Sequence, residues 1–231
     1  FAKSILFMYI LSIYIYIYMQ MYVNAPTYIC GCVLFRRKSF MYKKVKRGLE
    51  LLASILLLVI IIPICLIACI FIVLESSGNP IYIQERVGIN GQKFMIYKLR
   101  SMYIDAEKNG HQWASKNDQR ITQVGRFLRR TRIDELPQII NIIRGEMSFI
   151  GPRPERPEFI TEFLKDIPNF NNRLAVRPGI TGWAQVNGGY DLSPRKKLEY
   201  DIYYIQHESA KLDFIVLLKT IKVIFNGHGF R

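Results

Sequence analysis

Residues 51–74 read LLASILLLVIIIPICLIACIFIVL, an uninterrupted run from Leu51 to Leu74 without one charged side chain. As a helix it would be about 36 Å long, enough to cross the hydrocarbon core of a bilayer. Lys43, Lys44, Lys46 and Arg47 precede it and Glu75 closes it. Pro63 stands in the middle, where it removes a backbone hydrogen bond and clashes with the preceding turn, so a kink is predicted. Two outcomes stay open: a kinked helix that spans the membrane, or a break that returns both ends to one face. Charge does not choose between them, because basic residues occur on both flanks. A buried core helix of this length would be unusual, and no small-residue cleavage pattern near Leu74 supports a signal peptide.

Composition points the same way. The 231 residues are half hydrophobic, yet 32 Lys and Arg against 18 Asp and Glu leave a formal charge of +14. A basic and apolar chain suits an anionic membrane surface, an anionic substrate, or both. Nucleic acid is disfavoured, since no zinc-ligand spacing, basic zipper or aromatic RNA-binding motif is present. Cys30 with Cys32, and Cys65 with Cys69, do not form a disulfide framework, which favours a reducing compartment. His111, His207 and His228 are scattered and receive no role. Residues 1–40 contain no acid and carry the alternation Ile13-Tyr14-Ile15-Tyr16-Ile17-Tyr18, which a translated TA repeat would produce. They are set aside as a leader of doubtful relevance, the structural alternative being an apolar membrane segment from Ile5 to Val23, and Met41 is expected to be the natural start.

Beyond the apolar run the pattern changes. Ser76 to Pro80 is a turn; Ile81–Arg86 and Lys93–Leu99 read as strands joined through Asn90-Gly91, a strong hairpin dipeptide. Lys98 and Arg100 leave the second strand as candidate phosphate ligands. The chemistry concentrates in Arg129 to Glu155, RRTRIDELPQIINIIRGEMSFIGPRPE. Arg129, Arg130 and Arg132 lie within five residues of Asp134, so that carboxylate is expected to be held ionised, as a nucleophile or metal ligand. Pro137 suits a first helical turn, and an apolar helix is predicted from Leu136 to Gly145. Its N-terminal amides would add to an anion site, although helix capping by Asp134 beside a solvated arginine face is the plainer alternative. In Gly151-Pro152-Arg153-Pro154 two fixed φ angles stiffen the presentation of Arg153 for phosphate or a nucleotide base, the plainer alternative being a structural turn that happens to contain arginine. Arg177-Pro178-Gly179 is a second turn headed by a cation. Helices are predicted over 158–165 and from Ser193-Pro194 to about Ile205. A last helix, capped by Asp213, would end near Gly227, with Lys219 and Lys222 on one face toward lipid headgroups or, alternatively, packed on the core. Residues 76–231 show no internal repeat or linker and are read as one domain.

Together these motifs resemble the monotopic polyprenyl-phosphate phosphoglycosyl transferases, the bacterial sugar transferases that begin polysaccharide and glycan assembly. The resemblance covers Met41 to Phe230 and rests on six pieces in order: the proline-broken apolar helix after a basic start, Gln84-Glu85-Arg86-Val87-Gly88, Tyr97-Lys98-Leu99-Arg100-Ser101-Met102, Asp134-Glu135-Leu136-Pro137-Gln138, Gly151-Pro152-Arg153-Pro154-Glu155, and Arg177 to Gly182. It implies an α+β, mostly helical fold. Residues 41–75 would form a re-entrant membrane helix and residues 76–231 a cytoplasmic catalytic domain with a small β-hairpin and interfacial amphipathic helices. It implies attack by Asp134 on a UDP-sugar, release of UMP, and transfer of the phosphosugar to polyprenyl (undecaprenyl) phosphate at the cytoplasmic face of the bacterial inner membrane. Mg²⁺ at Asp134 and Glu135 is expected, with Lys98, Arg129, Arg153 and Arg177 as substrate ligands. The sequence departs from many members in having Ile62 before the proline and Gly189-Tyr190 where some carry arginine; Gly188-Gly189-Tyr190-Asp191 is similar to members that transfer hexose phosphates. A Mg²⁺-dependent phosphohydrolase and a non-catalytic basic membrane scaffold are the rival readings, and a homo-oligomer is left open.

Overall fold

The structure, a computed structural model, describes residues 31–108, 118–189 and 192–226. The expectation for residues 1–40 therefore falls outside it up to residue 30, as do Tyr190 and Asp191 of the late motif. The described residues are mostly helical, with two small two-stranded sheets. Helix α1 runs Gly31–Glu75, starting ahead of Met41, and is followed by a hairpin of β1 (Ile81–Val87) and β2 (Lys93–Leu99). Next come α2 (Gln123–Thr131), a 3-10 turn (Ile133–Gln138), α3 (Ile139–Arg144) and β3 (Ser148–Ile150). The remainder is α4 (Pro157–Asp166), a second 3-10 turn (Phe170–Ala175), β4 (Gly179–Thr181), α5 (Trp183–Asn187), α6 (Pro194–Gln206) and α7 (Ala210–Asn226).

The helix α1 contains Pro63, and its stretch from Met41 to Glu75 is long and apolar enough to cross a membrane. One stripe faces inward: Glu50, Ser54, Ile61, Ala68 and Ile72 are buried, at spacings of three to four residues or their multiples, which is one face of a helix. The opposite face leaves large apolar side chains open, with Val59 and Leu74 three-quarters exposed. Such exposure is costly for a helix in water, because each exposed Leu or Ile forgoes about 1.5–3 kcal/mol of burial. Both flanks of its apolar run, residues 51–74, rest on the same folded body. Near its start, Arg47 donates to the Ile142 and Ile143 carbonyls at 2.6 and 3.0 Å, and Lys46 donates to the Ile150 carbonyl at 3.2 Å. Near its end, Ala68 and Ile72 join Leu99, Leu128 and Ile133 in one apolar cluster.

Strands β1 and β2 pair antiparallel from Ile81 opposite Leu99 to Val87 opposite Lys93. Asn90 and Gly91 both adopt positive φ, 54° and 79°, as the dipeptide predicts. The parallel pair β3–β4 is not legible in the sequence; it forms because Gly151 and Gly179 carry no Cβ. A methyl at Gly179 would lie 2.1 Å from the Gly151 nitrogen, so only glycine lets the two segments cross this closely.

Two helix readings change. Asp213 does not cap α7 but sits inside it, buried, accepting from Tyr42 at 2.6 Å, Tyr204 at 2.7 Å and Lys46 at 3.0 Å. Lys219 turns inward, donating to Asn187 at 2.6 Å with its ammonium 4.5 Å from the Trp183 ring centre, so only Lys222 of that pair is exposed. The lysine finds an amide acceptor and an aromatic face within the protein.

Candidate active site

The dyad sits where two helical segments meet at an angle. Helix α2 starts at Thr122, whose hydroxyl accepts the Gly125 N–H at 2.9 Å, and ends at Arg132, which has φ 58°. A left-handed arginine costs about 1–2 kcal/mol, but it stops the helix in one residue. The chain then restarts as the 3-10 turn, in which Asp134, Glu135, Pro137 and Gln138 are all buried. Positions three apart eclipse in such a turn, so the face carrying Glu135 continues to Gln138 and, through α3, to Asn141. That face meets β2. Asn141 Nδ2 donates to the Met95 carbonyl at 2.7 Å, and Glu135 lies farther along the strand at Lys98.

Glu135 Oε1 accepts from Lys98 Nζ at 3.1 Å and from Arg153 Nη2 at 2.6 Å. Arg129 Nε donates to Ser101 Oγ at 2.8 Å, just beyond β2. The Arg153 backbone is fixed from behind by Arg173, 2% exposed, whose Nη2 donates to the Arg153 carbonyl at 2.8 Å and pairs with Asp201 at 2.7 Å. Glu155 completes that buried network with Lys197 at 2.7 Å and Arg173 at 3.6 Å.

The two carboxylates are driven apart electrostatically. Burial, reinforced by the charge of Glu135, pushes Asp134 up to about 6, although Lys98, Arg129 and Arg132 pull it down. The sequence expectation that nearby arginines set its state is thus corrected: they act in the expected direction, but desolvation is larger. Glu135 is equally buried, yet Arg153, Lys98 and Arg132 hold it well below the usual carboxylate range. Asp134 Oδ1 is buried and has no hydrogen-bond partner among the described residues. A charge with one oxygen unpaired and out of water is unfavourable alone and suited to a ligand. Among the described residues no group of three or more His, Cys, Asp or Glu forms a metal cage. Mg²⁺ does not require one, since it is commonly held by one or two carboxylates together with substrate phosphates and waters. Two adjacent hard-oxygen donors, one with an unpaired oxygen, fit that ion.

Lys98, Arg129 and Arg153 therefore converge around the dyad. Arg177 does not: its Nε donates to the Gly145 carbonyl at 2.9 Å, at the far end of α3, where Arg47 also lies. Sequence reasoning missed Ser101 as the seat of Arg129, and Arg173 as the support of Arg153. The motif around Lys98 does include Ser101, but nothing marks Arg173, whose partners lie 18 and 20 residues earlier or 28 residues later along the chain.

The chain is similar to several known proteins. A 44% identical protein of Aeromonas hydrophila, covering 82% of this chain and 46% of the relative, is named a UDP-N-acetylgalactosamine-undecaprenyl-phosphate N-acetylgalactosaminephosphotransferase. A Bacillus subtilis (strain 168) protein, provisionally named an undecaprenyl-phosphate N-acetylgalactosaminyl 1-phosphate transferase, is 51% identical over 59% of this chain and 76% of its own. A Xanthomonas campestris pv. campestris protein named a UDP-glucose:undecaprenyl-phosphate glucose-1-phosphate transferase is 41% identical over 70% of this chain and 35% of its own. The chain thus spans about half the length of the Aeromonas relative and about a third of the Xanthomonas one. The family profile described as bacterial sugar transferase matches residues 41–227. By that match and these identities, the chain belongs to the bacterial sugar transferase family.

Proposed function

We propose that this protein transfers a sugar 1-phosphate from a UDP-sugar to undecaprenyl phosphate at the cytoplasmic face of the bacterial inner membrane. The observation that carries the reading is the asymmetry of the dyad: Glu135 is pinned by Lys98 and Arg153, while Asp134 keeps one buried oxygen without a partner. The names of the relatives support the reaction class.

In the first step an Asp134 oxygen attacks the sugar-proximal phosphorus. The bond from that phosphorus to the bridging oxygen breaks, and UMP leaves with the electron pair. In the second step an oxygen of undecaprenyl phosphate attacks the same phosphorus, the bond to Asp134 breaks, and the carboxylate returns. Arg129 and Arg153 would bind phosphate oxygens, and Lys98 would hold Glu135 in place. Asp134 and Glu135 would hold Mg²⁺, which when bound supplies positive charge against the donor diphosphate. Residues 41–75 are read as a re-entrant helix, supported by the contact of both its ends with one body, and residues 76–231 as the catalytic domain. The donor is proposed to be a UDP-hexose on the resemblance of the late glycine motif. N-acetylgalactosamine, named in two relatives, is the competing sugar.

The test is release of UMP by purified protein with Mg²⁺, undecaprenyl phosphate and a panel of UDP-glucose, UDP-galactose and UDP-N-acetylgalactosamine. One donor should release UMP, and Asp134→Asn should abolish release. Full activity in a folded Asp134→Asn protein would refute the nucleophile, and free sugar 1-phosphate in place of lipid-linked product would indicate a phosphohydrolase.

A further inference from the structure

Two glutamates bracket the uncharged run of α1, Glu50 immediately before it and Glu75 immediately after it. Glu50 is 2% exposed. Its Oε1 accepts the Phe149 N–H at 3.1 Å and the Ser148 hydroxyl, whose oxygen in turn accepts the Ile150 N–H at 3.3 Å. One turn earlier, Lys46 donates to the Ile150 carbonyl, to Tyr204 Oη at 2.9 Å and to Asp213. Strand β3 is therefore gripped at every residue by α1. Three residues on is Arg153, and the chain between is stiff: Gly151 N–H donates to Thr181 at 2.9 Å, the Pro152 carbonyl accepts from Gly179 at 2.9 Å, and prolines flank the arginine.

The far side of the apolar run mirrors this. Glu75 accepts the Gln123 N–H at 2.6 Å and the Val124 N–H at 2.9 Å, one on each carboxylate oxygen. These are the first two amides of α2, so the carboxylate orients that helix. Six residues along it stands Arg129, about 9 Å away at helical rise.

We propose that Glu50 and Glu75 are positioning residues for the transfer reaction, Glu50 setting Arg153 through β3 and Glu75 setting Arg129 through α2. The inference rests on the proposed function in one respect, that the two arginines bind the reacting phosphates. The membrane helix then acts as a brace, and the separation of Glu50 and Glu75 along it is transmitted to the two cations.

A role through a particular arginine differs from simple anchoring in its pairwise specificity, which a double-mutant cycle reads. Glu50→Met should lower kcat about 10- to 100-fold, the scale of a misplacement near 1 Å, with little change in KM for the UDP-sugar. Glu50→Gln, which keeps an acceptor oxygen for Phe149, should restore most of it. In an Arg153→Lys background Glu50→Met should add almost nothing, whereas Glu75→Ala should still act; in an Arg129→Lys background the pattern should reverse. Additive effects in all four combinations would overturn the proposal. Glu75 is only partly buried, so Glu75→Ala tests its half of the proposal should Glu50→Met fail to fold. Should wild-type protein release no UMP from any donor, the proposed function fails, and the brace is read by hydrogen exchange instead. Glu50→Met should then speed exchange over 149–153 but not 123–129, and Glu75→Ala the reverse. An equal change in both regions for both variants would overturn it.

Discussion

Glu155 ends the stiff stretch that presents Arg153, and its titration provides a measure of how tightly that stretch is held. Burial works against its charge, but Lys197 and Arg173, with Arg86 farther off, bring it down from 4.5 to about 2. A carboxyl depressed by that interval contributes on the order of 3 kcal/mol at neutral pH. Because the folded value is the lower one, the contribution is complete above about pH 4.5, shrinks as the pH falls, and is gone near pH 2. Asp201, in the same network, is shifted upward by burial and has the opposite pH dependence, so the useful quantity is the difference between wild type and Glu155→Gln. Urea unfolding in a mild non-ionic detergent, followed by tryptophan fluorescence at pH 7, 4 and 2.5, should show wild type more stable by about 3 kcal/mol at pH 7. The gap should narrow at pH 4 and nearly close at pH 2.5. A gap that stays constant, or widens on acidification, would refute the assignment of Lys197 and Arg173 as the groups that hold this carboxylate.

Two further expectations concern the arginines. Arg153→Ala removes the 2.6 Å partner of Glu135 and a proposed phosphate ligand, and UMP release should fall by about 100-fold or more, read as kcat/KM. A loss within about threefold would contradict that role. Arg177→Ala removes a hydrogen bond to the Gly145 carbonyl at the far end of α3, so a lower melting temperature with unchanged KM for the UDP-sugar is expected. A large rise in KM would return Arg177 to the list of substrate ligands.

Local physics carried a good part of this protein. A run without charge from Leu51 to Leu74 reads as apolar helix, Asn90-Gly91 between alternating segments can hardly be other than a hairpin turn, and Ser193-Pro194 announces the start of α6. The dyad was visible too, because two carboxylates after three arginines is a local arrangement, and its likeness to a family followed from motifs each read within a few residues. The arrangement in space was not. Helix α2 has only nine residues, and its charged sequence carries little apolar signal, so Arg129 could not be seen on a rigid element. The parallel pairing of Ser148–Ile150 with Gly179–Thr181 depends on two glycines 28 positions apart, a coincidence no window of sequence contains. The direction of the Asp134 shift was hidden for the same reason. Proximity along the chain reports which charges are near, whereas desolvation depends on what covers them, and that cover is supplied by the tertiary structure. Sequence determined which groups are available for chemistry; the fold decided that Arg177 stands apart while Arg153, Lys98 and Glu135 touch, because hydrogen-bond partners are chosen by packing across long loops and not by spacing.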